Sequence, residues 1–201
     1  MGYKFKGRST AAYSQNKPNH PAPQSYTARE IFKILASKYG HVAWKPRLSP
    51  FSELIATILS QHTSHLNSER AFKSLGNAFS TWEDILICPV EELMAVIRSG
   101  GLARQKAIRI QAVLKEVLTR CGGFDLKFLG DMPLDAAKRW LQSLPGVGPK
   151  TAAIVLSFSL GLPALPVDTH VHRVAKRLAL ITPKTNADLA HDILESMIPA
   201  T

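Results

Sequence analysis

The residue best placed for covalent chemistry is Lys150, in Leu144-Pro-Gly146-Val147-Gly148-Pro-Lys150-Thr151-Ala-Ala-Ile-Val-Leu156. An amphipathic stretch leads in and an alanine-rich one leads out, so the segment reads as helix, tight turn, helix. Gly146 and Gly148 can take positive φ and expose backbone N–H groups without a covering side chain. Free N–H groups at a helix N-terminus form an anion site that suits a phosphodiester without reading any base. The alternative is a glycine-capped turn and nothing more. A nucleotide P-loop is excluded, because Pro149 rather than glycine precedes Lys150 and the segment before the turn is helical rather than a strand. A cation in the first turn opposes the helix dipole by about 0.3–1 kcal/mol. The same field favours the neutral amine, a nucleophile toward carbonyl-like carbon. The alternative role for Lys150 is an exposed contact to phosphate.

A second anchor is Pro166-Val-Asp168-Thr-His170-Val-His172-Arg173-Val-Ala-Lys176-Arg177. Asp168 has the form of an N-cap. Behind it Arg173, Lys176 and Arg177 suit a phosphate backbone. His170 and His172, two apart, point different ways on a helix and make a poor metal pair.

Helices must carry these residues. Thr27-Ala-Arg-Glu30 has capping-box form, and Ile31, Ile34 and Leu35 follow at helical spacing. Ser49-Pro50 opens a helix whose stripe is Phe51, Leu54, Ile55, Ile58 and Leu59. Further helices are expected over about 66–79, from Ser80, from Pro89 to before Gly100, over 103–121 with Gly122 as the stop, around Leu134–Leu144, and near 149–160, 169–179 and 187–198. Nothing alternates as a strand does. The expectation is an all-α protein of about ten short helices.

The chain has 201 residues, 45% of them hydrophobic, with 25 Lys+Arg against 15 Asp+Glu. That excludes a disordered or collagen-like chain, and no apolar run is long enough to span a membrane. Cys88 and Cys121 alone cannot supply a disulfide framework or a cysteine-only metal site, so no metal ligands are assigned. Of the net +10, +8 falls in residues 1–50, where Glu30 is the only acid. Residues 1–24 read as a disordered basic arm, either solubilising or adding attraction to a polyphosphate.

Taken together, these residues resemble the endonuclease III branch of the helix-hairpin-helix DNA glycosylase superfamily. The resemblance is carried by the hairpin LPGVGPKTA, by VDTH with its Asp 18 positions after Lys150, by Ile58-Leu-Ser-Gln61-His-Thr63, and by Gly100-Gly-Leu102 with Lys106. It implies two helical domains flanking a DNA-binding cleft. One is a six-helix domain over about 46–163 that contains the helix-hairpin-helix; the other joins 25–45 to 164–201. It also implies base-excision repair of double-stranded DNA by a monomer. An oxidised or ring-saturated pyrimidine is extruded, and Lys150 attacks the sugar to form a Schiff base. The strand is then cut by β-elimination. Asp168 would stabilise the cationic sugar and help activate the amine. Gln61 would fill the vacated space, and Leu102 would wedge into the base stack. Gly146, Val147, Gly148 and Thr151 would hold backbone phosphates, with Arg173 on the next helix. For Gln61 the alternative is a buried amide paired to backbone; for Leu102, an ordinary loop leucine.

The adenine-mismatch branch is disfavoured, since its catalytic Glu falls at Thr57 and it usually lacks the lysine. The 8-oxoguanine branch shares the lysine but matches less well around it. Ala103 follows the presumed wedge where relatives carry a larger residue, which puts lesion and opposite-base preference in doubt. Relatives usually continue into a four-cysteine loop holding a [4Fe–4S] cluster. The present sequence reaches Thr201 without it, so no cofactor is expected in the chain as given, and truncation is the favoured explanation. The rival functions are a non-catalytic helix-hairpin-helix DNA-binding protein and a monofunctional mismatch glycosylase. The expected location is a bacterial cytoplasm, at the nucleoid, with organellar or nuclear targeting by the basic N-terminus as the alternative.

Overall fold

Local capping rules account for where most of the helices begin. The computed structural model describes residues 26–41 and 43–197, so the basic arm assigned to residues 1–24 lies outside the described residues. In α1 (Ala28–Tyr39) the Thr27 side chain accepts from Glu30 N–H while the Glu30 carboxylate accepts from Thr27 N–H, the reciprocal capping box. Ser49 caps α2 (Pro50–Ser60), with Pro50 in its first turn. Ser64 caps α3 (His65–Ala78), and Thr81 caps the short α4 (Trp82–Ile87). The chain continues through α5 (Val90–Val96), a 3-10 turn at Arg98–Gly100, and the long α6 (Ala103–Cys121), which stops at Gly122 with φ +68°. A second 3-10 turn at Lys127–Asp131 precedes α7 (Leu134–Gln142), and α8 (Pro149–Leu160), α9 (Thr169–Arg177) and α10 (Ala187–Met197) complete it. The described residues contain no strand.

Residues 46–163 hold seven α-helices, one more than the resemblance implies. Pro89 is the reason: it follows the C-cap Cys88 and separates α4 from α5.

The main core runs from Phe51 to Ala164. Phe51, Leu54, Ile55, Ile58 and Leu59 of α2 are all buried, as the stripe predicted. Its neighbour α8 buries Ala152, Ala153, Val155 and Leu156, and the two alanines let α8 lie close along α2. Removing one of these large side chains costs about 2–5 kcal/mol. Glu53 is also fully buried; it is paired with Arg47, whose N–H donates to Phe158 O at 3.0 Å. The buried carboxylate thus ties the start of α2 to the end of α8.

A smaller second cluster comprises Val167, Ala175, Ile181, Ala190 and Leu194. Helix α1 buries no residue, and Phe32, Ile34, Leu35 and Tyr39 are exposed. The crossing between the two clusters is clamped at Leu165. Its N–H donates to Glu195 Oε1 at 2.8 Å, and its C=O accepts from His191 Nδ1 at 2.9 Å. Glu195 also pairs with Lys138 of α7, with both side chains largely buried. The ion pair therefore fixes the linker just ahead of Asp168.

Candidate active site at the helical hairpin

Pro149 stands in the first turn of α8, and the N-cap Gly148 supplies no side-chain hydrogen bond. The first helical bond is donated by Ala152 N–H to Gly148 O at 3.0 Å. The N–H groups of Lys150 and Thr151 therefore come ahead of the bonded ladder, at the positive end of the helix dipole.

The two glycines differ from each other. Gly146 takes positive φ, at +71°, and a Cβ there would collide with the Arg109 side chain. Gly148 does not use that freedom: its backbone is extended, with φ −93° and ψ 179°. A Cβ at Gly148 would meet nothing within 4 Å. No group among the described residues explains the glycine at 148, whereas a ligand backbone approaching the helix end would. Val147, between them, turns inward. Its side chain is buried in the main core and its N–H donates to Leu144 O at 3.2 Å. Val147 anchors the hairpin and presents no free donor to phosphate.

Lys150 and Asp168 meet across two helix N-termini. The Lys150 Nζ lies 3.8 Å from Asp168 Oδ2. The Lys150 side chain is 51% exposed and that of Asp168 33%. Asp168 is the N-cap of α9: Oδ1 accepts from His170 N–H at 2.9 Å and from Val171 N–H at 2.8 Å. One oxygen holds the helix and the other faces the amine. The carboxyl is held below the usual carboxylate range, first by the Val171 N–H bond and then by the Lys150 charge, against some desolvation. It is therefore an anion at neutral pH, pre-placed beside the amine.

Gln61 sits at the end of α2, next to the hairpin. Its Nε2 is 3.4 Å from both Gly146 O and Thr151 Oγ1, and its Oε1 accepts from Arg109 at 2.6 Å. Thr151 is buried, with its hydroxyl turned to Gln61. Leu102 stands on a different turn, half exposed, with left-handed backbone at φ 48°. A leucine held there costs about 1–3 kcal/mol, a strain more common where function fixes the backbone. Gly101 brings that turn beside the Gln61 turn, since a Cβ at Gly101 would lie 3.9 Å from Thr63 Oγ1. Arg173 is exposed on α9, within 3.1 Å of His170 Nδ1.

Arg109 belongs to this constellation and was not singled out from sequence. It connects the hairpin to Gln61 from α6. The one available signal is its place a turn after Lys106, at the edge of an apolar face. Lys106 itself is buried, with its ammonium on Leu59 O and Gly100 O. Burial, and then the Arg109 charge, lowers its pKa.

The two cysteines do not suit an iron–sulfur cluster. Cys88 Sγ lies 3.3 Å from Ile85 O beside Gln111, and Cys121 is exposed at the end of α6. Among the described residues no three His, Cys, Asp or Glu are grouped to hold a metal.

Comparison with known proteins places these features in a wider group. The family described as HhH-GPD superfamily base excision DNA repair protein matches residues 55–200. The chain is 37% identical to endonuclease III of Thermotoga maritima over 172 residues, covering 86% of this chain and 73% of the relative. It is 40% identical to endonuclease III of Bacillus subtilis over 132 residues, covering 66% of this chain and 56% of the relative. A relative from Arabidopsis thaliana is also 40% identical over 132 residues, of which this chain spans 45%. Among solved structures, a trapped endonuclease III–DNA covalent intermediate superposes with a TM-score of 0.70 at 34% identity, covering 85% of this chain and 76% of that one.

Proposed function

Because the chain belongs to the HhH-GPD superfamily of base excision DNA repair proteins, we propose that it is a DNA glycosylase with abasic-site lyase activity. The observation that carries this reading is the exposed Lys150 amine 3.8 Å from the Asp168 carboxylate, beside an open helix N-terminus. A carboxylate of lowered pKa supplies the charge that an oxocarbenium-like sugar needs as the base departs. The neighbouring amine supplies the nucleophile.

In the proposed sequence the α8 N-terminus and Gly148 receive a backbone phosphate, and the damaged base is turned out of the stack. Leu102 and Gln61 occupy the space left in the duplex. The Lys150 amine in its neutral form adds to C1′ of the deoxyribose as the C1′–base bond breaks, and the base leaves with that electron pair and takes up a proton. Ring opening gives a Schiff base between Lys150 and the sugar. Loss of a C2′ proton then expels the 3′-phosphate by β-elimination, and water hydrolyses the imine to free Lys150. Lys150, Asp168, Gln61 and Leu102 all come from one chain, so a monomer suffices. An oxidised or ring-saturated pyrimidine is the proposed lesion, by the likeness to endonuclease III.

Borohydride should trap the wild-type chain covalently on duplexes carrying an abasic site or thymine glycol. Lys150→Ala should abolish the adduct and strand cleavage while still binding duplex. An adduct that persists in Lys150→Ala would remove the lysine from the chemistry. Base release by the wild-type chain with no adduct and no strand cleavage would make it a monofunctional glycosylase instead.

A further inference from the structure

Lys106 is 2% exposed, yet none of the ion pairs found among the described residues includes it. Its ammonium donates instead to Leu59 O at 2.6 Å and to Gly100 O at 2.7 Å. Both acceptors end a helix: Leu59 is in the last turn of α2, and Gly100 closes the 3-10 turn after α5. Carbonyls at helix C-termini are unsatisfied and carry partial negative charge, which is what a buried ammonium without a carboxylate requires.

These two carbonyls lead straight into the two strained turns of the molecule that stand at the proposed DNA face. Beyond Leu59 come Gln61 and His62, the latter at φ +53°; beyond Gly100 come Gly101 at φ +68° and Leu102 at φ +48°. Lys106 holds the second turn twice, since its own backbone N–H donates to Leu102 O at 3.0 Å. The second turn packs closely against α3 and α2: a Cβ on Gly100 would press on Ala71 Cβ at 3.2 Å and touch Leu59 O at 3.7 Å. An apolar side chain of similar length would fill the same volume but leave both carbonyls without this donor, so the test must separate positioning from stability.

We propose that Lys106 is a positioning residue that ties the Gln61 turn to the Leu102 turn, so that both enter the duplex as one unit when a base is extruded. The proposal rests on the DNA reading above and concerns the extrusion step rather than the covalent step. Lys106 touches neither Lys150 nor Asp168 through any of its hydrogen bonds. A substrate with no base left to extrude should therefore be nearly indifferent to it.

The test compares two substrates in single-turnover kinetics at saturating enzyme. Lys106→Met, which keeps the length and removes the donors, should slow excision of a paired thymine glycol by about 10- to 100-fold, while cleavage at a preformed abasic site stays within about threefold. Lys106→Gln, which keeps a donor for one carbonyl, should fall between. A 2-aminopurine beside the lesion should lose its unstacking signal in Lys106→Met. Adding Leu102→Ala should slow excision less in Lys106→Met than in wild type, because the wedge is already out of place. If Lys106→Met fails to fold, Lys106→Gln is read in the same assays. Equal losses on both substrates would show a general structural role and overturn the proposal, as would excision at the wild-type rate. A wild-type chain that neither cleaves abasic sites nor is trapped would overturn the functional reading and this one with it.

Discussion

At the residue scale, Asp168 divides two tasks between two oxygens, and a single atom change can separate them. Its Oδ1 caps α9 through His170 and Val171, and its Oδ2 faces Lys150 at 3.8 Å. Asparagine keeps a side-chain carbonyl for the cap and is as good an N-cap as aspartate. Asp168→Asn should therefore change unfolding free energy by less than about 1 kcal/mol, measured by urea titration at neutral pH. Single-turnover excision should fall by about 100-fold or more, since the charge proposed to stabilise the sugar cation is gone. The pH dependence has a definite sign. A carboxyl whose folded pKa is lowered contributes stability above its unfolded value, about 4, and loses it as pH falls through the lowered folded value. The stability difference between wild type and Asp168→Asn should thus be flat from pH 5 to 8 and shrink below about pH 4. A difference that changes between pH 6 and 7 would show that the group titrating there is not this carboxyl.

At the element scale, the hairpin carries two glycines for two reasons, and they respond oppositely to alanine. Gly146 is at positive φ with Arg109 lying where a Cβ would go. Gly146→Ala should lower stability by about 1–2 kcal/mol and free Gln61 from Arg109. Gly148 is extended and has nothing near its Cβ position. Gly148→Ala should leave the melting temperature unchanged or slightly raised, while weakening binding to duplex DNA, because the methyl group would stand in the path of the proposed phosphate. Melting curves and salt-dependent binding isotherms on the two variants check this; equal loss of binding with no difference in melting would refute the distinction. The same hairpin shows what the sequence makes legible. Capping residues, the Pro50 and Pro149 starts and the α2 stripe follow local rules, and the structure has these helices where the pattern predicts them; the pairing of Lys150 with Asp168 is implied only by the family resemblance. What the sequence hides is long-range. Lys106 reaches a carbonyl 47 positions away and Arg109 a side chain 48 away, and no periodicity encodes such a pairing. The burial of Val147 in the main core is hidden for a related reason, since the glycines on either side of it are exposed.

At the scale of the whole molecule, the proposed chemistry needs Lys150 and Asp168 held together although they stand on separate helices, one rooted in the main core and the other at the second cluster. The two clusters are separate, and polar contacts at Leu165 join the elements that carry them. Glu195 is the centre of that joint. It accepts from Leu165 N–H, three residues before Asp168, and pairs with Lys138 of α7, at 11% and 14% side-chain exposure. A largely buried pair gives little net stability as a pair, but removing one partner leaves the other charged and unmatched, at about 3–5 kcal/mol. Glu195→Ala and Lys138→Ala should each destabilise by roughly that amount, and the double variant by much less than their sum. Lys138→Met with Glu195→Gln removes both charges while keeping an acceptor for Leu165, and should recover most of the stability. That pairing also tests function. If the joint sets the approach of Asp168 to Lys150, trapping on an abasic site should follow the Leu165 bond rather than the charges: near wild type in the Met/Gln pair, and reduced in Glu195→Ala beyond what its unfolded fraction explains. Trapping that tracks only the folded fraction in every variant would mean the two helices find each other without the joint.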